Sequence, residues 1–271
     1  MDLCADLFIA VLVAAAGVPL GRLFAKLRNP YWMLGYFIPL GLLLLFVLAV
    51  RLPALSVVPP VSWMVLGRNK FAACGFIATL LLTTPLLRLR RKPSRVLLGV
   101  LMVVVVFATS VFPFLPPMFD RAELLGLKTQ IDTNGICLQS TDYTCGAAAA
   151  VTGLRKLGFP AEEGEIAVLA RTSLIDGTEP DILAEQLRRH YGKDGLIAEY
   201  KVFKNIDELK NACLTLAVTK HSLLEDHFVA VLEVTSDSVI LGDPVGGRVT
   251  PTREEFLKKW RFTGVVLRRR K

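Results

Sequence analysis

A cysteine at the start of a predicted helix is the first candidate for chemistry in this sequence. Residues 138–150 read LQSTDYTCGAAAA, and the small residues after Cys145 favour a helix that packs closely against a sheet. A thiol is a useful nucleophile when it is ionised, and the unpaired N–H groups at a helix N-terminus favour negative charge. We therefore predict that Cys145 is a nucleophile, with a small buried thiol as the alternative.

A nucleophilic thiol needs a base, and the sequence offers three histidines, His190, His221 and His227. His227 begins the predicted strand HFVAVLEV, whereas His190 ends an amphipathic helix and His221 falls in a predicted loop. Asp243 ends the next predicted strand, and two neighbouring antiparallel strands joined by a short turn can bring their ends together. A carboxylate beside an imidazole orients the ring and stabilises its charge. His227 and Asp243 are therefore the expected base and orienting residue.

A fourth candidate, Gln139, ends the predicted short strand before the nucleophile. Its carboxamide N–H and the backbone N–H of Cys145 could both point at the oxyanion of a tetrahedral intermediate. Gln139 could instead bond only to backbone. A zinc site made from Cys145, His221 and His227 is a further alternative, because thiolate and imidazole suit zinc, but it would leave Gln139 without a role. The sequence therefore predicts no metal and no cofactor.

Three segments together resemble a known family: LQSTDYTCGAAAA, DHFVAVLEV and LGDPVGG. They are similar to the bacteriocin-processing, double-glycine-leader cysteine peptidases, a papain-like family, and the resemblance covers roughly residues 132–268. The resemblance implies that Gln139 is the oxyanion donor, Cys145 the nucleophile, His227 the general base and Asp243 the orienting residue. It also implies a peptide or protein substrate.

Well-known members of that family place the peptidase domain before a membrane unit and an ATPase, whereas here the order is reversed. The phosphate-binding pattern GxxxxGK[ST] does not occur in the sequence, so this chain is not expected to drive transport with ATP itself. A separate peptide exporter is an expected partner.

The first part of the chain is predicted to lie in a membrane. The hydrophobic content of 53% and the mean hydropathy of +0.49 are high for a soluble protein. A transmembrane region over residues 1–119 would contain four spans, at about 7–25, 29–50, 71–87 and 96–117.

The distribution of charge predicts the orientation of these spans. The net charge is +8, and all of the excess lies before residue 120, where eleven Lys and Arg face two Asp. Basic residues cluster in the loops 22–28 and 88–95, which predicts that these loops are cytoplasmic. With four spans, the C-terminal domain is expected outside a bacterial cytoplasmic membrane; if the short first span does not cross, the domain is cytosolic. The rest of the chain is nearly neutral, which disfavours nucleic-acid binding.

The second part is predicted to be a linker, residues 120–131, followed by a peptidase domain over 132–271. Helices come first and strands afterward, which is typical of an α+β domain with an antiparallel sheet. Thr252 and Glu255 fit a capping box at the start of a late helix.

The resulting hypothesis is a membrane-anchored cysteine peptidase that hydrolyses peptide bonds, with leader peptides as a candidate substrate. Two alternatives stay open: a non-catalytic peptide-binding adaptor for a separate exporter, and a thiol-dependent amidase or acyltransferase.

Overall fold

The computed structural model describes residues 3–52, 55, 58, 60–61, 64, 69–115, 119–174, 177–221 and 226–270. The chain divides into two compact units, residues 1–116 and 117–271. The end of the predicted fourth span, at residues 116–117, lies outside the described residues.

The N-terminal unit consists of apolar helices: α1 (Leu3–Lys26), α2 (Leu34–Arg51), α3 (Asn69–Arg88) and α4 (Lys92–Val106). Helical turns continue α4 through Val111 and on to Phe114. Each of four segments in this unit is long and apolar enough to cross a membrane: Ala5–Lys26, Tyr31–Ala49, Asn69–Arg88 and Lys92–Phe114. The last of these begins at Lys92, a few residues before the expected start at 96.

Glycines allow α1 and α3 to approach each other closely. A Cβ atom at Gly17 would lie 2.1 Å from Thr79 Oγ1, and one at Gly21 would lie 2.7 Å from Thr83 Cβ. Close approach at a pair of glycines four residues apart is a common way for apolar helices to associate within lipid. The Thr79 hydroxyl also donates a hydrogen bond of 2.6 Å to the carbonyl of Ala14.

The C-terminal unit begins with a short helix and a small two-stranded sheet. Helix α5 (Arg121–Leu125) is followed by β1 (Gln130–Ile131), which pairs with β2 (Cys137–Leu138) in an antiparallel arrangement. The segment that the sequence suggested as a linker, 120–131, therefore contains both α5 and β1.

Helices α6 (Cys145–Lys156), α7 (Glu163–Leu169) and α8 (Pro180–Tyr191) come next. The remaining elements alternate mostly strands with two short helices: β3 (Leu196–Val202), α9 (Ile206–Lys210), β4 (Leu214–Lys220), β5 (Asp226–Val234), β6 (Val239–Asp243), β7 (Gly247–Val249), α10 (Arg253–Lys259) and β8 (Trp260–Arg269).

Strands β3 to β8 form one six-stranded antiparallel sheet with the order β3–β8–β4–β5–β6–β7. The predicted α+β class, with helices first and an antiparallel sheet afterward, is confirmed. The capping box at the start of α10 is also confirmed, because Thr252 and Glu255 each bond the other's backbone.

The sheet separates two apolar cores. One contains the buried residues of α6 and α7 together with Leu216, Phe228 and Leu267 of the sheet. The other is formed around Trp260 and Phe256, with Val229 and Leu241 from the sheet. Helix α6, which begins at Cys145, packs against β5, which contains His227.

Candidate active site

Cys145 is the first residue of α6 and is buried, with 8% of its surface exposed. The preceding residue, Thr144, forms a tight turn with Thr141. The Thr144 backbone N–H donates to the Thr141 carbonyl at 3.3 Å, and the Thr141 backbone N–H donates to Thr144 Oγ1 at 3.2 Å. Within the described residues, the Thr144 side chain makes no capping bond to the helix. Cys145 thus lies at the N-terminal end of α6, where N–H groups without a partner in the helix favour negative charge.

Small residues place α6 close to its neighbours. The side chains from Ala147 to Ala150 are fully buried. A Cβ atom at Gly146 would lie 2.5 Å from Thr178 Cβ, and one at Gly153 would lie 2.7 Å from Leu214 Cδ2. Neither position has room for a side chain without movement of a neighbour, so the close packing expected from the sequence fixes the position of the Cys145 sulfur.

His227 and Asp243 lie on neighbouring strands of the sheet. The last registered pair between β5 and β6 is Ala230 with Gly242. If this register continues by one pair, Asp243 lies opposite Val229. His227 is two residues before Val229, so its side chain points to the same face of the sheet. His227 and Asp243 are therefore diagonal neighbours, close enough for their side chains to touch. The His227 Nε2–H donates a hydrogen bond of 2.8 Å to Asp243 Oδ1.

The Asp243 carboxylate is held by its own loop as well as by the histidine. Its Oδ1 also accepts the backbone N–H of Val245 at 2.9 Å. Burial opposes the charge, but the bond from His227 and the backbone N–H groups of Val245 and Gly246 outweigh it, and they lower the pKa of Asp243. The carboxylate is therefore charged at neutral pH.

The other side of the His227 ring faces Cys145. A hydrogen bond joins the imidazole to the thiol group, and since Nε2 is bonded to Asp243, Nδ1 is the nitrogen that remains for sulfur. Burial lowers the pKa of His227, but the hydrogen bonds and charges of Asp243 and Cys145 raise it more, to about 9. The Asp243 carboxylate and the bond to Cys145 therefore favour the protonated, imidazolium form of His227.

Gln139 follows β2 directly and lies at the same end of the domain. Its backbone N–H donates a bond of 2.9 Å to the carbonyl of Pro244, the residue after Asp243. Its side-chain Oε1 is buried and has no hydrogen-bond partner among the described residues. The backbone of Gln139 is thus bonded to the residue after Asp243, and Asp243 is bonded to His227. Cys145 is hydrogen-bonded to the other side of the His227 ring.

The two other histidines and the thiol of Cys137 lie outside the hydrogen-bonded series. The ring of His221 is exposed and its centroid lies 5.8 Å from that of His227, whereas His190 packs edge-on against Tyr191. Cys137 and Cys145 are both free thiols, and burial, together with the charge of Glu163, raises the pKa of Cys137 to about 12. Among the described residues, no group of three or more His, Cys, Asp and Glu side chains is placed to hold a metal ion.

One further buried polar residue was missed by sequence reasoning. Glu163 begins α7, is fully buried and accepts two hydrogen bonds from Ser140, the residue after Gln139. Nothing in the segment AEEGEIAVLA distinguishes Glu163 from Glu162 or Glu165, because its burial comes from contacts with residues more than twenty positions earlier in the chain.

The C-terminal part of the chain is similar to known proteins. The peptidase C39 family profile matches residues 133–271. An uncharacterized protein of Methanothermobacter thermautotrophicus is 28% identical over 145 residues, which cover 54% of this chain and 94% of that protein. The lactococcin-G-processing and transport ATP-binding protein LagD of Lactococcus lactis is 30% identical over 136 residues, which cover 49% of this chain but 18% of LagD.

Among solved structures, the chain is similar to a double glycine motif protease from an AMS/PCAT transporter in complex with its leader peptide. The TM-score is 0.43 at 17% identity, and the match covers 53% of this chain and 94% of that one.

The C-terminal domain thus has the papain-like fold of a cysteine peptidase, as its helices, sheet and cysteine-bearing helix start indicated. The chain belongs to the peptidase C39 family. The resemblance to double-glycine-leader peptidases and the prediction of a cysteine peptidase are both confirmed.

Proposed function

We propose that this protein is a membrane-anchored peptidase that cleaves peptide bonds with Cys145 as nucleophile. His227 is the general base and acid, Asp243 orients it, and Gln139 donates to the oxyanion. The substrate is a leader-type peptide. The observation that carries the proposal is the continuous hydrogen-bonded series from Asp243 Oδ1 through the His227 ring to the Cys145 thiol group.

Each step of the reaction has a residue suited to it. In the resting pair the proton of the Cys145 thiol is already on His227 Nδ1, and the thiolate attacks the carbonyl carbon of the scissile peptide bond. The oxyanion of the tetrahedral intermediate accepts hydrogen bonds from the Cys145 backbone N–H and the Gln139 carboxamide. As the C–N bond breaks, the His227 imidazolium gives its proton to the leaving amine, and a thioester is left on Cys145.

Hydrolysis of the thioester completes the cycle. A water molecule gives a proton to His227 and its oxygen attacks the thioester carbonyl. The C–S bond then breaks, which releases the carboxylic acid product and returns the thiolate beside the imidazolium. Asp243 keeps its negative charge throughout, because it stabilises the imidazolium in both halves of the reaction.

Anchoring in a membrane is supported by the N-terminal unit, whose four long helices have mean hydropathies of 1.6 to 2.6. Arg88 lies at the end of α3, with its guanidinium 4.1 Å from the centre of the Trp32 ring and bonded to the carbonyl of Ala25. Arg and Trp together are typical of a membrane–water interface. The basic loops 22–28 and 88–95 would face the cytoplasm and the peptidase domain would lie outside the cytoplasmic membrane of a bacterium.

The orientation has a direct test. A reporter enzyme that is active only in an oxidising compartment, fused after residue 271, should be active in cells, whereas a fusion in loop 88–95 should not. The opposite pattern would place the domain in the cytosol. The proposed peptidase would then act beside a separate exporter. In LagD, by its name, processing and transport are combined in one protein.

The chemistry is tested with the purified full-length chain in detergent and a thiol-reactive peptide probe. Wild type should be labelled at Cys145, and His227→Ala should lose that labelling, whereas His190→Ala is the matched control with a ring packed on Tyr191. Equal labelling of wild type and His227→Ala would reject the activated pair. Mass spectrometry of a cleaved peptide, with one water added across the bond, would separate hydrolysis from acyl transfer.

A further inference from the structure

Glu163 is a buried carboxylate that the proposed reaction does not use. Within the described part of the C-terminal domain it is the one acidic side chain that is buried, with 0% of its surface exposed. Removing a carboxylate from water is costly unless hydrogen bonds replace its hydration. Its contacts therefore indicate what the residue does.

Both carboxylate oxygens of Glu163 accept hydrogen bonds from a single residue. Oε1 accepts the backbone N–H of Ser140 at 2.8 Å, and Oε2 accepts the Ser140 hydroxyl at 2.6 Å. The backbone N–H of Glu163 in turn donates to Thr129 Oγ1 at 2.7 Å. A two-point bond to one residue fixes both its position and its direction, and a charged acceptor makes each bond stronger than a neutral one would be.

The helix that carries Glu163 is itself held closely. A Cβ atom at Gly164 would lie 2.3 Å from the carbonyl oxygen of Leu124 in α5. The start of α7 therefore touches the backbone of α5 at a place where only glycine fits, and Glu163 projects from a fixed point. The carboxylate is a rigid support for the loop that it bonds.

Ser140 is the neighbour of Gln139, the proposed oxyanion donor. The backbone N–H groups of these two residues have different acceptors. That of Gln139 donates to the carbonyl of Pro244, beside Asp243. That of Ser140 donates to the carboxylate of Glu163. The backbone at Gln139 is thus held from two sides. Among the described residues, Gln139 Oε1 has no hydrogen-bond partner, so no bond to this oxygen adds to the hold that the backbone has on the side chain.

We propose that Glu163 is a positioning residue for the oxyanion hole: it binds Ser140 and thereby holds the carboxamide of Gln139 where the tetrahedral oxyanion forms. This inference rests on the proposed function. It assigns to α7 a part in the reaction, although α7 contributes no group that touches the substrate.

The first test compares three variants of the full-length chain. Glu163→Ala should lower kcat for peptide hydrolysis about 10- to 100-fold, because small misplacement of a catalytic group has effects of that size. The KM and the rate of Cys145 alkylation by iodoacetamide should stay near the wild-type values, since neither needs the oxyanion donor. Glu165→Ala, an exposed position on the same helix, should resemble wild type.

The conservative variant should rescue the activity. In Glu163→Gln, the carboxamide oxygen can accept the Ser140 N–H and its NH₂ can donate to the Ser140 hydroxyl. The Ser140 proton is then free to bond the carbonyl of Lys128, which lies 3.1 Å from Ser140 Oγ. We expect kcat within about threefold of wild type. A Glu163→Gln variant as impaired as Glu163→Ala, with unchanged unfolding, would overturn the proposal.

A double-mutant cycle separates positioning from a general structural effect. If Glu163 acts through Gln139, then Glu163→Ala should cause no further loss of kcat in a Gln139→Ala background. The same loss in both backgrounds would contradict the proposal. If Glu163→Ala does not fold, Ser140→Ala takes its place in the cycle, with an expected loss of about threefold to tenfold. It removes the hydroxyl bonds to Glu163 at 2.6 Å and to the Lys128 carbonyl at 3.1 Å but keeps the backbone N–H bond to Glu163.

The outcomes also distinguish the two proposals. A wild-type protein that hydrolyses peptides, with kcat unchanged in Glu163→Ala, would overturn only the role of Glu163. A wild-type protein without hydrolysis, labelled independently of His227, would overturn the proposed function and this inference with it.

Discussion

The candidate site has a helix side, which carries Gln139 and Cys145, and a sheet side, which carries His227 and Asp243. On the helix side, residues are held by close packing of small side chains and by backbone bonds, such as that from Gln139 to Pro244. On the sheet side, a direct hydrogen bond of 2.8 Å between two side chains fixes the geometry.

This difference determines how each side should respond to change. A site held by packing is sensitive to added volume, because a filled interior has no free space. A site held by an ion pair is sensitive to pH, because losing either charge removes the interaction. The helix side should therefore be broken by larger side chains and the sheet side by titration.

The largest effect is expected when the contact between the two sides is removed. Cys145→Ala and His227→Ala should each reduce kcat/KM by about 10⁴-fold or more, and the double variant should be no worse than the single ones, because the two residues act as a unit. Hydrolysis of a leader-type peptide, followed by mass spectrometry, measures this. Losses that multiply in the double variant would indicate two independent groups.

Removal of the oxyanion donor should have a smaller effect, confined to the helix side. Gln139→Ala should lower kcat about 100- to 1000-fold, while the pH at which activity falls on the alkaline side stays the same. The complete pH profile of kcat/KM checks both parts. A shifted alkaline limb would show that Gln139 also influences His227, contrary to the separation of the two sides.

The pH dependence of stability tests the sheet side. The pKa of His227 is raised from about 6.5 to about 9, so its stabilising contribution is complete below about pH 6.5 and is lost as the pH rises through about 9. The pKa of Asp243 is lowered, so its contribution is complete above about pH 4 and is lost as the pH falls through the lowered value. Both contributions are complete between about pH 4 and 6.5.

The experiment is urea unfolding of wild type and Asp243→Asn between pH 6 and 10. Wild type should lose more stability than the variant across this range, because the variant lacks the part of the raised His227 pKa that Asp243 causes and keeps the part that Cys145 causes. Parallel curves for the two proteins would contradict the assignment of the raised pKa to the bond with Asp243.

Added volume at the start of α6 tests the helix side. Gly146→Ala should destabilise the domain by about 1–3 kcal/mol, because its Cβ would lie 2.5 Å from Thr178 Cβ. Gly192→Ala is the matched control, since no atom lies within 4 Å of its added Cβ. Unfolding free energies are measured with urea. Equal values for the two variants would show that a methyl group fits at Gly146, contrary to the close packing described above.

The sequence was informative about this domain where local rules apply. The helix start at Cys145 follows from the small residues after it, and the pairing of β5 with β6 follows from a short turn between two β-branched segments. The pairing of β5 with β6 is sufficient to expect His227 and Asp243 side by side. The membrane helices were likewise evident from long apolar stretches.

Features that depend on distant contacts were not evident from the sequence. Strands β1 and β7 are two and three residues long, too short for a periodic pattern to show. The bond from Gln139 to Pro244 and those from Ser140 to Glu163 join segments that are far apart in the chain. The positions of these residues are set by the packing of the whole domain, which a local pattern does not contain.

The central claim is that Asp243, His227 and Cys145 form one hydrogen-bonded series. Its most direct test is the titration of His227 by NMR in the full-length protein, with the ring ¹⁵N shifts assigned by comparison with His227→Ala. We expect an imidazolium that persists through neutral pH and titrates near pH 9, and a pKa of His227 that falls toward 6.5 in Asp243→Ala. A wild-type His227 that titrates near pH 6.5 and is unaffected by Asp243→Ala would contradict it.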